Sequence, residues 1–229
     1  MIAVIVPIYN TEKYLRETID SVICQTLSFA EHIRLILLDD ASTDGSFAIC
    51  EQYQKQYPKQ ILVKHYDTNQ GVSALRNEGV RIAGEMGDEL ITFLDSDDKL
   101  ADDAMEKAVQ YFDAHEDVFV AAIGIRYFDA YEGEQRLNWR FEKTDVVDIK
   151  KDYTYPHYYV GGVFLRHAVL DELHFDESLS FWEDALAVNQ VIVSQGKYGL
   201  IAGTHYYYRK REDESSLVDT AWHKKERYT

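Results

Sequence analysis

The chain has 229 residues, 46% of them hydrophobic, with two cysteines and a formal net charge of −16. The apolar fraction excludes a disordered chain, and the negative balance excludes nucleic acid as a partner, because phosphate backbones demand a basic face. No apolar run reaches the roughly 18 residues of a membrane span, and MIAVIVPIYN lacks the positive region of a signal peptide, so a cytoplasmic protein with Cys24 and Cys50 as reduced thiols is expected.

The first element, IAVIVPIY (2–9), is a continuous β-branched run, as a strand buried on both faces requires. A helical period follows over 11–27, through Leu15, Ile19, Val22 and Leu27. IRLILLDD (33–40) reads as a second buried strand, 46–57 as a helix that Pro58 ends, and ILVKHY (61–66) as a third strand. Residues 73–86 predict a helix that Gly79 and Gly84 weaken. ELITFL (89–94) is a fourth strand and 101–115 a helix. Strands and helices alternating at about 30 residues predict βαβ units and a mostly parallel sheet.

That regularity stops near residue 116. VFVAAIGIRYFDAY (118–131) predicts one or two strands, in antiparallel pairing, and 132–157 a polar, Tyr-rich, irregular stretch. GGVFLRHAVLDEL (161–173) predicts a strand leading into a short helix. FWEDALAVNQVIVSQG (181–196) predicts a helix capped by Gly196, and YGLIAGTHYYYR (198–209) a last strand.

Ligands of open α/β sheets sit beyond the carboxyl ends of the strands, and the polar residues gather there. Strand one ends in Tyr9-Asn10, strand two in Asp39-Asp40, strand four in Asp95-Ser96-Asp97-Asp98. Asp97 or Asp98 could cap the helix near 101, and Asp39 and Asp40 could form a turn before STDG. A cap needs one aspartate, however, and three stand after TFL. Carboxylates about 4 Å apart repel by about 4 kcal/mol at an effective dielectric of 20. A divalent cation, Mg2+ or Mn2+, held by Asp97 with Asp95 assisting, would relieve that repulsion. Neither a G-x-G-x-x-G nor a P-loop motif is present, so no glycine cradle handles phosphate.

VIVPIYN (4–10), YLRETIDSVICQT (14–26), LLDDASTDGS (37–46), NQGVSALRNEGV (69–80), FLDSDDKL (93–100) and WEDALAVNQ (182–190) occur in that order. Together they resemble the family-2 glycosyltransferases of GT-A fold, over about residues 2–209. The resemblance implies a Rossmann-like, mostly parallel sheet flanked by helices, with a smaller mixed or antiparallel C-terminal half. It also implies one domain over 1–229, with a nucleotide-binding half (1–100) and an acceptor and catalytic-base half (101–229).

The implied activity is inverting transfer of a sugar from a nucleoside diphosphate, UDP by default, to a hydroxyl of a glycan or lipid-linked acceptor in cell-surface polysaccharide synthesis. By that likeness Pro7, Tyr9 and Asn10 line the nucleotide pocket, and Asp39 or Asp40, the second matching better, accepts from the base. Asn69, Arg76 and Asn77 approach the nucleotide and donor sugar. Asp95, Ser96 and Asp97 form the D-x-D of metal and ribose binding. Asp184 is the catalytic base, and its apolar and aromatic neighbours would make it more basic. Arg209 could reach the diphosphate or lie on a solvated edge strand, and Ser215 and Ser216 could order the closing loop.

Tyr153, Tyr155, Tyr158 and Tyr159 could stack on an acceptor sugar or simply pack. Peripheral membrane association, through Lys224, Lys225 and Arg227, and homo-oligomerisation are further expectations. The competing class is a nucleotide-sugar-binding module, inactive alone or a fragment of a larger transferase. A nucleotidyltransferase would carry a Gly-rich basic loop after strand one, and a haloacid-dehalogenase-like phosphatase would carry its D-x-D there. PIYNTEKYL offers neither.

Overall fold

A computed structural model describes residues 1–152, 157–179 and 181–211. Among the described residues, ten strands form one sheet. They are β1 (Ile2–Ile8), β2 (Ile33–Asp39), β3 (Ile61–His65), β4 (Leu90–Phe93), β5 (Lys99–Leu100), β6 (Val120–Asp129), β7 (Gly133–Glu134), β8 (Asp145–Asp148), β9 (Val163–Arg166) and β10 (Lys197–Lys210). Helices α1 (Leu15–Ile23), α2 (Phe29–His32), α3 (Ser46–Gln56), α4 (Val72–Glu85), α5 (Ala104–Ala114) and α6 (Glu183–Gln195) complete it, with 3-10 turns at Asn138–Phe141 and His167–Glu172.

The sheet order is β3-β2-β1-β4-β9-β6-β10-β5, with β7 beside β6 and β8 beside β10. The first four strands are mutually parallel. Strand β9 is antiparallel to both β4 and β6, so β6 runs with β4, and β10 runs parallel to β6. The carboxyl ends of β1, β2, β4, β6 and β10 therefore share one rim.

Both faces of the sheet are covered, which is why its strands read as unbroken apolar runs. Alternate residues of β1 serve the two faces. Val4, Val6 and Ile8 pack with Leu15 and Ile19 of α1, Ile49 of α3 and Met105 of α5. Ala3 and Ile5 pack with Leu75 and Ala83 of α4 and Val188 and Val191 of α6. Gly79 permits this second layer, since a Cβ there would lie 2.3 Å from Ile5 Cγ2. The glycine that weakens the helical propensity of α4 thus sets how closely the helix meets the sheet.

The expected strands and helices of the first half appear with shifts of a few residues at their ends. Helix α1 starts only at Leu15, because Asn10, Thr11 and Glu12 are bonded to residues of the loop after β2 and the start of α3. Helix α6 ends at Gly196 in the left-handed region (φ 74°), as expected of a glycine C-cap. Residues 118–131 yield a single strand, β6, antiparallel to β7 and β9 but parallel to β10. The stretch read as irregular holds β7, β8 and a 3-10 turn, since β8 pairs with β10 through Asp145–Asp148.

Candidate active site

Pro7 lies inside a central strand, where the missing N–H would ordinarily cost a ladder bond. Strand β4 pairs with β1 only through Ile5. The Ile5 carbonyl accepts from Leu94 on the β4 side and the Ile8 carbonyl from Asp40 on the β2 side. By alternation Pro7 faces the β4 side, beyond the last pair, so no bond is lost. The β1–β4 ladder ends there, at the rim where the strand-end loops begin.

Tyr9 follows the end of β1 at that rim, 53% exposed. Asn10 takes left-handed backbone (φ 51°). Its N–H donates to Ser42 Oγ (3.0 Å), and its Oδ1 accepts from Thr43 N (2.8 Å). Asn10 thereby stitches the loop after β1 to the loop after β2.

Asp39 is fully buried. His65 Nδ1 lies 2.7 Å from its Oδ2, while its Oδ1 has no hydrogen-bond partner. The Asp40 carboxylate accepts from the backbone N–H groups of Gln70 (2.6 Å) and Gly71 (2.9 Å). It therefore shapes the loop entering α4, where Asn69 Nδ2 donates to the Asp40 carbonyl at 3.5 Å.

At the end of β4 the aspartates divide their work. Asp98 is buried. Its Oδ2 accepts from the Tyr206 hydroxyl (2.7 Å) and its Oδ1 from Arg209 N (2.7 Å). Burial, reinforced by Asp97 and Asp95, pushes its carboxyl well above the usual range. The Tyr206 oxygen also accepts from Asp95 N at 3.1 Å. Asp98 is thus a tie between this loop and β10, and the N-cap of α5 is Asp103 rather than Asp97 or Asp98. Ser96 accepts through its carbonyl from the Thr18 hydroxyl (3.0 Å), holding the loop against α1.

The Asp97 Oδ2 accepts from Arg211 Nε (2.9 Å) and Nη2 (2.6 Å). Burial raises the Asp97 carboxyl, Arg211 opposes, Asp95 pushes it up again, and the net direction is upward. Burial, the largest cause, leaves the ionised carboxylate poorly solvated, so it depends on a cation beside it. Among the described residues no group of three or more His, Cys, Asp or Glu side chains gathers as a ready metal cage. Asp95 and Asp97, two hard oxygen donors on one loop that pair here with Arg76 and Arg211, are of the donor type that suits Mg2+ or Mn2+. These ions typically take one or two carboxylates and fill the rest with phosphate and water.

Arg76, on α4 and buried, joins the rim to α6. Its Nη2 donates to Asp95 Oδ1 (3.1 Å) and its Nη1 to Glu183 Oε1 (3.0 Å). Its Nε is buried without a hydrogen-bond partner, and its guanidinium lies 5.5 Å from the Phe175 ring centre. Asn77 clasps the segment leading to α6. Its Oδ1 accepts from Phe175 N (2.8 Å), and its Nδ2 donates to Phe175 O (2.9 Å) and Glu177 Oε1 (3.1 Å). Its amide is committed to that segment.

Trp182, exposed and left-handed (φ 68°), turns the chain into α6, edge-on to Phe181 and Tyr158. Asp184 follows in the first turn. Burial lifts its carboxyl to about 6, Arg76 pulls it down, and Glu183 pushes it up. A carboxylate poised there is mostly ionised at neutral pH, yet basic enough to take a proton.

Asp95 and Glu183 thus share one arginine, with Asp184 in the field of the same group. Sequence reasoning missed Tyr206 and Arg211, whose partners lie 108 and 114 positions away. Arg209 is consumed by Asp129 Oδ2 (2.7 Å), Glu17 and the Asp97 carbonyl, between the Tyr14 and Phe128 rings. Tyr159 packs against the core and accepts from Gln135. Tyr153, Tyr155, Ser215, Ser216 and the basic residues Lys224, Lys225 and Arg227 lie outside the described residues.

The profile of the family described as "Glycosyl transferase family 2" matches residues 3–174. The "Minor teichoic acid biosynthesis protein GgaA" of Bacillus subtilis (strain 168) is 43% identical over 100% of this chain and 51% of its own length. GgaB of the same strain, described in the same words, is 39% identical over 96% of this chain and 24% of its own length. The chain thus spans about half of one curated relative and a quarter of the other. Among solved structures, S. aureus TarS 1-349 in complex with UDP-GlcNAc superposes with a TM-score of 0.80 at 26% identity, covering 92% of this chain and 59% of TarS 1-349.

Proposed function

This chain belongs to glycosyl transferase family 2, has the α/β fold its motifs imply, and we propose that it is the catalytic domain of an inverting transferase. It would move a sugar from a nucleoside diphosphate donor to a hydroxyl of a glycan or lipid-linked acceptor in cell-wall polymer synthesis. The observation that carries this reading is the Arg76 bridge, which sets Asp95 of the β4 rim beside Glu183 and Asp184 of α6. Donor side and base side thereby become one site. The teichoic acid relatives support the pathway class, and the UDP-GlcNAc complex of TarS supports a UDP-linked donor.

Tyr9 offers its exposed ring to the base, and Pro7 and Asn10 shape the wall beneath it. Asp39 or Asp40 accepts the base N–H, while Asn69 and Gln70 hold the neighbouring loop. Asp97 and Asp95 would hold Mg2+ or Mn2+, which when bound supplies Lewis-acid stabilisation of charge on the departing diphosphate. Ser96 keeps those two carboxylates in register through its bond to Thr18.

Asp184 takes the proton of the acceptor hydroxyl as that oxygen attacks the anomeric carbon. A single base opposite the leaving group gives inversion. Arg76 holds the first turn of α6 against the rim and keeps Asp184 ionised at neutral pH. The acceptor would reach the site at the cytoplasmic membrane face; no helix among the described residues is long and apolar enough to cross a membrane.

Because the chain covers half of GgaA, a second reading is a donor-binding domain that needs the rest of a longer protein for transfer. Incubation with a panel of nucleotide sugars, with Mn2+, Mg2+ or chelator, separates the two. Metal-dependent release of nucleoside diphosphate that is lost in Asp184→Asn supports the transferase. Donor binding without release, acceptor present, supports the binding domain.

A further inference from the structure

The cation already sitting on the proposed metal ligand belongs to the protein. Arg211 places Nε and Nη2 on Asp97 Oδ2 at 2.9 and 2.6 Å, and both side chains are more than four-fifths buried. A guanidinium and a divalent ion cannot share that oxygen without severe repulsion. From this geometry we propose that Arg211 is a resident placeholder cation, and that metal enters the D-x-D by displacing it. The inference rests on the metal reading of Asp97 and adds a positioning residue to it.

The surroundings favour exchange over a permanent pair. Asp97 lies on a loop fixed elsewhere, by Thr18 to Ser96, by Tyr206 to Asp95 and Asp98, and by Arg209 to the Asp97 carbonyl. Releasing Arg211 therefore leaves the loop in place. Arg211 itself follows the last residue of β10, Lys210, and its guanidinium lies 5.1 Å from the Tyr14 ring centre.

Its neighbour behaves differently. Arg209 is within the strand and is anchored to Asp129, Glu17 and the Asp97 carbonyl. Of the two arginines, Arg209 is built into the strand and Arg211 lies outside it. Before loading, the guanidinium compensates a buried carboxylate that would otherwise stand uncompensated; after loading, the ion does so. The pocket is never left with bare negative charge, and loose binding of metal without donor is suppressed.

The test is Mn2+ binding by the full chain, followed by the electron paramagnetic resonance signal of free Mn2+, with thermal unfolding in parallel. Arg211→Ala is expected to bind Mn2+ alone at least tenfold more tightly than wild type, and Arg211→Lys to fall between them. Mn2+ is also expected to raise the melting temperature of Arg211→Ala more than that of wild type, since the variant has lost the resident cation. Arg211→Gln, which keeps bulk and a donor, serves if the alanine variant folds poorly.

Unchanged or weaker Mn2+ binding in Arg211→Ala and Arg211→Gln overturns the placeholder role. The metal reading is judged separately, by Mn2+ binding in the presence of UDP to wild type and Asp97→Asn. If those two bind alike, Asp97 is no metal ligand and the placeholder falls with it. If Asp97→Asn loses the ion while the Arg211 variants match wild type, only the placeholder fails.

Discussion

Replacing Asp184 by Asn should remove activity and increase stability together. Burial lifts this carboxyl from its ordinary 3.8 to about 6, and a rise of that size corresponds to about 3 kcal/mol of penalty on the ionised form. A group whose folded value is raised favours the folded state fully below its unfolded value, and that advantage is lost as pH rises through the folded value. The wild type therefore carries the penalty at pH 7.5 and sheds it on acidification. Asn, neutral at every pH, never carries it.

Arg76 keeps its bonds to Asp95 and Glu183 in this variant, so no unpaired guanidinium results. The value of about 6 already includes the Arg76 attraction, so the gain is about 3 kcal/mol at most, or roughly 6–12 °C in melting temperature for a chain of this size. Urea unfolding of both proteins at pH 7.5, 5 and 4 reads the difference. It should shrink to about half by pH 5 and close below about pH 4. Donor turnover measured on the same samples should fall at least about a hundredfold, the usual worth of a general base. A less stable Asp184→Asn at pH 7.5, or one that keeps wild-type turnover, would refute the reasoning.

Further outcomes follow from the same geometry. Wild-type kcat/KM should fall on the acid side with a midpoint near 6, because protonated Asp184 cannot accept a proton; a pH profile at subsaturating substrate checks this. Tyr206→Phe removes the hydroxyl shared by Asp95 N and Asp98 Oδ2, and leaving those buried groups short of a partner should cost about 1–3 kcal/mol in denaturant unfolding. Gly79→Ala should gain up to about 1 kcal/mol of helix propensity. It should lose more through overpacking against Ile5, a cost of about 1–3 kcal/mol, so its melting temperature should drop. Asn77→Ala frees the segment at Phe175 and Glu177, and should lower kcat while leaving donor binding near wild type by calorimetry.

The parallel half of the sheet was readable because its strands are buried on both faces and appear as unbroken β-branched runs. The same parallel order let the strand-end residues Tyr9, Asp39, Asp40, Asp95 and Asp97 be placed on one rim from their positions in the chain alone. The C-terminal half was less legible. β5, β7 and β8 are two to four residues long and exist because β6 and β10 offer them edges, a tertiary cause that leaves no local period.

Within the site, the aspartates could be seen but not told apart. Asp98 differs from Asp97 by one position, yet Tyr206 and Arg209 bind the first and Arg211 the second. Those partners come from β10 and the residue just after it, more than a hundred positions downstream. The Arg76 bridge was invisible for the same reason. Asp95 is 19 residues from Arg76 and Glu183 is 107, and no periodicity links them.

The most direct trial is a crystal of the protein grown with Mn2+ and UDP, with anomalous diffraction collected at the manganese edge. The anomalous peak should lie on the carboxylates of Asp97 and Asp95, with the uracil against Tyr9 and the β-phosphate directed toward the Asp184 side. Bound UDP with manganese away from both carboxylates, or nucleotide seated away from the carboxyl-end rim of β1, β2 and β4, would contradict it.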